Sequence, residues 1–451
     1  MKSRRKFVKQ SFAVSAGFLG LSSYLAYGSA APADTFAQQT PWLELPEGFD
    51  AHIISRWGET MADGLLVPGR ADGMAAFAAG DKVTIVRNHE NSPGDVQFGP
   101  FGDDLRLLNK VKAEQFFDYG FGKTPGMGGT TTLTYDEASG KVIEQHLSSI
   151  GTYRNCAGGA TPWGSWISCE EDTTPAGDES QTAHGYNFEI PAQQKGLIEP
   201  LPIRAMGRFN HEAVAVSPLS GIVYQTEDQN DGLIYRYLPN VAGQLHKGGQ
   251  LQALMIKGQP TFDTRNVGTQ RIPVGEAMEV EWVSLQEVEP LEDDLRHQGA
   301  ALGAAIFARG EGMWYGNDEV YFACTNGGQN QTGQVFKYVP SPFEGTAREA
   351  ERPGQLILFA EPNDKDILKY CDNLTVSPWG DVILVEDTPD AYIRGITPDG
   401  HIYNIGRNVG STSELAGICF SPSGDTLFVN IQEEGLTFAI TGPWDILGKD
   451  A

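Results

Sequence analysis

The sequence has few basic residues for its length. Its 451 residues include 33 Lys and Arg against 58 Asp and Glu, which gives a formal net charge of −25. Five of the basic residues lie within the first ten positions, so the remainder has 28 basic and 58 acidic residues and a net charge of −30. Proteins that bind nucleic acids or anionic lipid surfaces use an excess of Lys and Arg. The composition therefore argues against both kinds of partner.

Several familiar motifs are also absent. The sequence has no P-loop, no dinucleotide-binding glycine fingerprint and no Gly-x-Ser-x-Gly elbow, which argues against nucleotide-binding folds and serine hydrolases. No Cys-x-x-Cys pair occurs among its five cysteines. An odd number of cysteines leaves at least one thiol without a disulfide partner. That thiol is either a buried apolar residue or a metal ligand, and spacing alone does not decide between them.

The first 30 residues have the order of an export signal. Residues 3–9 read Ser-Arg-Arg-Lys-Phe-Val-Lys, an apolar stretch covers 11–27, and small residues follow at 28–31. Adjacent arginines in this context indicate the twin-arginine export machinery, which transports folded proteins. The apolar stretch is short, so we expect no stable membrane anchor. We predict a twin-arginine signal peptide at 1–30 and a periplasmic or secreted protein.

The rest of the chain consists of short β-rich runs separated by Gly, Pro, Asn and Asp, which is typical of an all-β fold. Four segments repeat a Ser/Thr-Pro turn followed by Gly and an apolar strand, and two looser copies lack the Pro. The six hairpins cover residues 72–90, 160–172, 216–228, 311–326, 376–387 and 420–432. Units of roughly 60 residues predict a six-bladed β-propeller. We expect one catalytic domain at 31–451, with loop and short helical insertions at 91–130 and 173–200.

Chemically similar residues stand at matching positions in these hairpins. Cys156, Glu212 and Asp372 each lie six residues before a turn Pro, and carboxylates follow eight or nine residues after it. Positions equally far from a turn are cross-strand neighbours. The repeat therefore predicts a metal site at one mouth of the axial channel. The acids assigned to this mouth are Asp72, Glu90, Glu170, Glu171, Asp172, Glu212, Glu227, Asp228, Glu311, Asp372, Glu386 and Asp387.

Each of these acids, taken singly, also fits a purely structural role. Acids at strand ends are often turn residues or solvated loop residues. However, adjacent carboxylates such as Glu170 and Glu171 repel each other unless a cation lies between them. Calcium prefers oxygen ligands, whereas a thiolate suits zinc, iron or copper. Arg309 lies two residues before Glu311, and it either contacts a phosphate group or forms a salt bridge with that carboxylate.

Ten short stretches, in order along nearly the whole mature chain, carry a resemblance to a known family. They include Arg-Asn-His-Glu at 87–90, Asn-Cys-Ala-Gly-Gly at 155–159, Ser-Cys-Glu-Glu at 168–171, Asn-His-Glu-Ala at 210–213, Arg-Gly-Glu-Gly at 309–312 and Leu-Ala-Gly-Ile-Cys-Phe-Ser-Pro at 415–422. With these stretches the sequence resembles the PhoX family of twin-arginine-exported bacterial alkaline phosphatases.

The resemblance implies a six-bladed propeller that hydrolyses phosphate monoesters with two Fe³⁺ and several Ca²⁺ ions. It places the iron-ligating cysteine at Cys156 and the phosphate contact at Arg309. Further metal ligands are expected at Glu171, Glu212 and Glu311, and iron or calcium ligands at Glu90, Glu227, Asp372 and Glu386. The expected partner is a small phosphate ester, and a monomer is the default expectation.

Two other classes of function stay open. A calcium-dependent propeller lactonase or phosphodiesterase uses a single Ca²⁺ to polarise an ester, and it needs neither a thiolate nor a second metal. A non-enzymatic propeller serves as a binding module, and it needs no acids at the channel mouth. Iron content separates the first alternative from the phosphatase, and the repeated acids speak against the second.

Overall fold

The structure is a computed structural model that describes residues 36–38 and 40–447. The predicted signal peptide at 1–30 lies outside the described residues. The described part of the chain has 26 β-strands, one α-helix and eight short 3₁₀ helices, so the prediction of an all-β protein is confirmed. None of the helices in these ranges has the length and apolar character needed to cross a bilayer.

The strands follow one another along the chain with few helical interruptions. They are β1 (Phe36–Gln38), β2 (Leu43–Pro46), β3 (Asp50–Arg56), β4 (Ala71–Ala79), β5 (Lys82–His89), β6 (Gly128–Asp136), β7 (Lys141–Thr152), β8 (Asn155–Ala160), β9 (Ser165–Glu170), β10 (Asn187–Pro191), β11 (His211–Val216), β12 (Val223–Glu227), β13 (Ile234–Pro239), β14 (Gly249–Ile256), β15 (Ala277–Ser284), β16 (Gly310–Gly316), β17 (Glu319–Cys324), β18 (Gln334–Val339), β19 (Gln355–Ala360), β20 (Cys371–Val376), β21 (Val382–Glu386), β22 (Tyr392–Ile396), β23 (Ile402–Asn408), β24 (Leu415–Phe420), β25 (Thr426–Ile431) and β26 (Leu436–Thr441).

The helices are all short. The α-helix is α1 (Leu295–Ala301), and the 3₁₀ helices are Val96–Phe98, Leu108–Lys110, Ala113–Gln115, Gly120–Gly122, Arg204–Met206, Leu245–Lys247, Glu349–Glu351 and Trp444–Ile446. Four of the 3₁₀ helices lie between β5 and β6, within the insertion predicted at 91–130. Phe101, Phe116 and Met127 of this insertion pack in an apolar cluster with residues from outside it, such as Leu65 and Ile150.

The strands pair into five antiparallel sheets arranged as a propeller-like fold. Their strand orders are β4-β5-β6-β7, β10-β9-β8, β11-β12-β13-β14-β15-β19-β18-β17-β16, β1-β2-β23-β22-β21-β20 and β24-β25-β26-β3. The predicted propeller-like architecture is confirmed in this sense. The sheets do not separate into six blades, because β15 pairs with β14 on one side and with β19 on the other and joins two units into one nine-stranded sheet.

Six strands line the centre of the fold. Strands β4, β8, β11, β16, β20 and β24 contact one another in this order, and β24 returns to contact β4. Two of them approach their neighbours backbone to backbone: a Cβ atom on Gly73 would lie 2.5 Å from the Cα of Ala157, and one on Gly312 would lie 2.6 Å from the Cα of Asn373. A larger side chain at either position would therefore push the inner strands apart. Strand β3 pairs with β26, which closes the ring with residues from both ends of the chain.

Each of the six inner strands contains a β-bulge close to its first residue. In β4 the pairing passes from Ala71–His89 to Met74–Arg87, so Asp72 and Gly73 together oppose a single residue. A bulge bends its strand and changes the direction of the side chains within it, and bulges are frequent beside active sites. The bulges all lie at the same end of the central ring, and this end carries the candidate site.

Candidate metal centre

The second residue of five inner strands lies in a bulge and faces one cavity. These residues are Asp72, Cys156, Glu212, Glu311 and Asp372, and the sixth inner strand has Ala416 at this place. Five of the six repeats therefore contribute a carboxyl or thiol group from an equivalent backbone position. Strands hold these groups more rigidly than loops would, so the side chains meet with little conformational freedom left to lose.

A second layer of polar groups comes from the residue that follows the neighbouring strand in five of the six hairpins. These residues are Glu90, Glu171, Asp228, Asp387 and Gln432. Their backbones are fixed by hydrogen bonds across the open end of the hairpin. The N–H of Glu171, for example, donates to the carbonyl oxygen of Arg154 at 3.0 Å, and that of Asp387 donates to Tyr370 at 2.8 Å.

Together the two layers enclose a polar cavity of about 130 Å³. Its lining contains nine carboxyl groups, one thiol and two guanidinium groups: Asp72, Glu90, Glu171, Glu212, Asp228, Glu311, Asp372, Asp387, Glu414, Cys156, Arg154 and Arg309, with Gln432. Gln432 ties the two ends of the fold together there, because its amide donates to Asp72 at 2.7 Å and to Glu90 at 2.9 Å.

The potential ligand atoms form three overlapping groups, and within each the atoms lie no more than 4.8 Å apart. They are Asp72, Glu90 and Cys156; Cys156, Glu171 and Glu212; and Glu212, Glu311 and Asp372. Cys156 and Glu212 each belong to two groups, so the three form a continuous series across the cavity. The thiol of Cys156 donates to a carboxylate oxygen of Glu171 at 2.9 Å. This spacing suits several cations held side by side.

Comparison with known proteins bears on the chemistry of this cavity. The family model described as alkaline phosphatase PhoX matches residues 31–142 and 130–435 of the chain. The chain belongs to this family. It is accordingly a metal-dependent phosphatase, a phosphoric monoester hydrolase.

The solved structures to which this PhoX-family chain is similar share little sequence with it. A gluconolactonase from Xanthomonas campestris has 13% identity and a TM-score of 0.41, with 90% of this chain and 99% of that chain covered. A luciferin-regenerating enzyme has 10% identity and a TM-score of 0.43, with 89% and 96% covered. No curated protein matches the sequence.

The electrostatics of the PhoX cavity favour bound cations. Burial, followed by repulsion from neighbouring carboxylates, raises the pKa of Asp72, Glu212 and Glu311 well above the usual range. Burial raises the pKa of Glu171 to about 8, against the opposing effect of Arg154. One oxygen of Asp72 is buried without a hydrogen-bond partner. A cation between these groups would relieve the repulsion and satisfy that oxygen, so the residues present fit a multi-metal site.

Two predicted ligands lie outside the cavity. The structure does not bring Glu227 and Glu386 to it, because each is the last residue of a strand and points to the opposite side from the residue that follows. Glu227 accepts hydrogen bonds from the Tyr235 hydroxyl at 2.7 Å and the Leu233 N–H at 3.1 Å. Glu386 forms a salt bridge with Arg394 at 3.0 Å. Their carboxylates hold the next strand of the sheet in place.

Several residues of the cavity were not chosen from the sequence as ligands or contacts. Asp228 and Asp387 were placed among the acids of the mouth but not among the ligands, although they occupy the place of Glu171 in their repeats. Glu414 directly precedes β24, the place that Arg154 has before β8, and its carbonyl oxygen accepts the N–H of Gln432 at 3.4 Å in the same way. Arg154 was also missed. The other predicted residues, Glu90, Glu171, Glu212, Glu311, Asp372, Cys156 and Arg309, all line the cavity.

A buried ionic group supports the cavity wall from behind. The ring nitrogens of His184 lie 2.7 Å from Glu170 and 3.3 Å from Asp118, and its ring stacks on Tyr153 with centroids 3.4 Å apart. Glu170 is adjacent to Glu171 in the chain and, with an exposed fraction of 0%, faces away from the cavity. It also accepts the backbone N–H of Tyr153 at 2.9 Å. This group therefore positions the segment that carries Arg154 and Cys156.

The group predicts a pH-dependent contribution to stability. Burial lowers the pKa of His184, but Glu170 and Asp118 outweigh burial and raise it to about 9, from 6.5. A pKa raised by folding stabilises the protein fully below about pH 6.5, and this contribution is lost as the pH rises through about 9. We expect the Tm difference between the protein and its His184→Gln variant to shrink over that range. The variant His297→Gln, at an exposed histidine, is the control. If the Tm difference between the protein and His184→Gln stays constant with pH, the buried group does not stabilise the fold in this way.

Proposed function

We propose that the cavity is the hydrolytic centre and that it binds iron and calcium together. The observation that carries this proposal is the convergence of nine carboxyl groups and one thiol from the six repeats. Carboxylate oxygens are the preferred ligands of Ca²⁺, and a thiolate favours a softer transition metal. A lactonase or phosphodiesterase with a single Ca²⁺ has no need of the thiol of Cys156 among its ligands.

The three ligand groups suggest how the metals divide. We assign iron to the two groups that share Cys156, with Glu90, Glu171, Glu212 and Asp72 as the accompanying carboxylates. We assign calcium to the all-oxygen group, which adds Glu311 and Asp372. Asp387 and Glu414 lie along the same side of the cavity as Asp372 and are available to further calcium ions.

The chain's own residues then have distinct tasks. The carboxylates fix the position of the cations, which when bound act as Lewis acids on the phosphoryl oxygens. Arg309 donates hydrogen bonds to a phosphoryl oxygen and offsets its charge as the transition state forms. Its guanidinium group is held toward the cavity by Asp228 at 2.7 Å and Glu311 at 2.9 Å. No side chain is required to form a covalent bond with phosphorus.

We further propose that the fold consists of six propeller units and that the protein is exported before it acts. The closed ring of six inner strands supports the count of six, with β15 joining the outer edges of two units. The paired arginines, apolar stretch and small residues at 3–31 support twin-arginine export to the periplasm or the medium. Such a route allows metals to be bound in the cytoplasm before transport.

Chelation tests the proposed centre. Prolonged treatment with EGTA is expected to lower the hydrolysis of p-nitrophenyl phosphate at least about 100-fold, because several kcal/mol of charge stabilisation are removed. Added Ca²⁺ should restore activity. Mg²⁺ is the control and should not, since it demands a smaller octahedral site. If hydrolysis is unchanged after EGTA, calcium has no part in catalysis.

A further inference from the structure

Four inner strands are preceded by a residue in the left-handed backbone conformation. These residues are Arg70 (φ 47°), Arg154 (φ 45°), Arg309 (φ 47°) and Tyr370 (φ 49°). The carbonyl oxygens of all four accept an N–H group from the residue that follows the neighbouring strand. Arg154 and Arg309 therefore occupy the same backbone position in two different repeats. Three of the four positions hold arginine, although left-handed backbone is unfavourable for this residue.

The side chains of Arg154 and Arg309 also each contact two carboxylates of the cavity wall. The guanidinium group of Arg154 donates to Glu90 at 2.7 Å and to Glu171 at 2.6 Å. That of Arg309 donates to Asp228 at 2.7 Å and lies 2.9 Å from Glu311. In both cases one guanidinium group contacts two carboxylates that line the cavity.

The side chains of Arg154 and Arg309 are more exposed to solvent than the carboxylates they contact. The side chains of Arg154 and Arg309 are 40% and 32% exposed. Their partners are more deeply buried: 17% exposed for Glu90, 13% for Glu171 and 8% for Asp228. Both arginines are therefore accessible to a solute that approaches the cavity from solvent.

We infer that Arg154 is a second phosphate-binding residue and that, together with Arg309, it selects phosphate groups with two negative charges. The inference rests on the proposed function of the cavity. A phosphate monoester carries a dianionic end, which two guanidinium groups can match with paired hydrogen bonds. A phosphodiester has one charge and fewer free oxygens. Two arginines on one cavity thus favour monoesters over diesters.

The geometry is compatible with this role because the same carboxylates can bind cations or accept hydrogen bonds from the arginines. A carboxylate that binds a cation has fewer lone pairs left for hydrogen bonds, which weakens its hold on the guanidinium group. Arg154 and Arg309 then have donors available for phosphoryl oxygens. Arg70 differs although it has the same backbone position, because its side chain turns to Asp95 at 2.6 Å and lies over the ring of Phe98 at 4.5 Å.

The test compares Arg154→Gln and Arg154→Lys with Arg70→Gln in the metal-loaded protein. We expect Arg154→Gln to lower kcat/KM for p-nitrophenyl phosphate about 10- to 100-fold, the range for a lost hydrogen bond to a charged group. The value for bis(p-nitrophenyl) phosphate should change less than about threefold, because one arginine matches its single charge. Arg154→Lys should be intermediate, since lysine keeps the charge without the planar pair of donors. Arg70→Gln should leave both esters unaffected.

Two further measurements make the result decisive. Calorimetric titration with inorganic phosphate should show weaker binding in Arg154→Gln than in the unaltered protein, whether or not the ester is turned over. Iron and calcium content, measured by mass spectrometry, should be unchanged. Equal losses for monoester and diester, a loss of metal in Arg154→Gln, or unchanged phosphate binding would each overturn the inference. A metal-loaded, unaltered protein that binds phosphate but hydrolyses neither ester would instead contradict the proposed function.

Discussion

Replacement of Cys156 by alanine is expected to remove iron from the protein and to lower phosphate monoester hydrolysis at least about 100-fold. Cys156 belongs to two of the three ligand groups and supplies the only thiol among the residues that line the cavity. Loss of a residue that merely supports a ligand costs about 10- to 100-fold in metal affinity or activity, and loss of a ligand should cost more. The measurements are iron content by mass spectrometry and kcat with p-nitrophenyl phosphate.

Cys169 provides a matched control in the same hairpin. Its thiol is fully buried and packs in an apolar cluster with Ile167 and Phe209, away from the cavity. Cys169→Ala is therefore expected to lower the Tm slightly and to leave iron content unchanged. A Cys156→Ala protein with normal iron content and normal activity would falsify the assignment of Cys156 as a ligand.

Substitution of Glu212 by glutamine is expected to have opposite effects on the metal-free and metal-loaded protein. Burial first, and then Glu311, Glu171, Asp372 and Asp72, raise the pKa of Glu212 well above 4.5. A carboxyl group with a raised pKa stabilises the fold only while protonated, so this stability is lost as the pH rises above 4.5. Glutamine keeps the shape without the charge. In EGTA at neutral pH, Glu212→Gln should therefore have a higher Tm than the unaltered protein.

In the presence of metals the order should reverse. Glu212 belongs to two ligand groups, so the variant should bind less metal and its activity should fall at least about 100-fold. It should also lose the stabilisation that bound metal provides. Glu386→Gln is the control, because its carboxylate pairs with Arg394 outside the cavity. Breaking this buried pair should cost about 3 kcal/mol or more with or without metal. A Glu212→Gln variant that is destabilised equally in both states would show that repulsion does not dominate there.

The repeated hairpins are the part of the fold that local sequence predicts. Turns with Pro and Gly, followed by apolar strands, recur along the chain because each unit needs the same reversal and the same inner strand. The joining of two units by β15 was not foreseeable in this way. Strand β15 (Ala277–Ser284) lies in the outer part of the sheet, and its pairing with β19 depends on contacts with residues about 80 positions away, such as Ala277 with Ile357.

The metal centre, like the fold, was predictable from the sequence only in part. The offset of six residues before the turn singled out Cys156, Glu212 and Asp372, and the structure brings all three to the cavity. The choice between adjacent acids after the second strand failed for Glu227 and Glu386, because alternate residues of a strand face opposite sides. A one-residue error in register exchanges a cavity residue for a buried one. The β-bulge near the start of each inner strand adds one residue to that strand and thereby shifts the register. The sequence does not mark the bulge directly.

By itself, the sequence determined which kinds of residue the protein has and where they recur: an acidic chain, six similar hairpins, one thiol within a series of carboxylates, and Arg309 close to them. Only the tertiary structure decided which of these side chains meet. Asp72 and Gln432 lie 360 residues apart in sequence and are joined by a hydrogen bond of 2.7 Å, because the ring closes through β3 and β26. Arg154 contacts Glu90 and Glu171 from two neighbouring hairpins, so its position also depends on how the repeats pack together. Convergence of charges on one cavity is a property of the closed ring, and no single hairpin contains it.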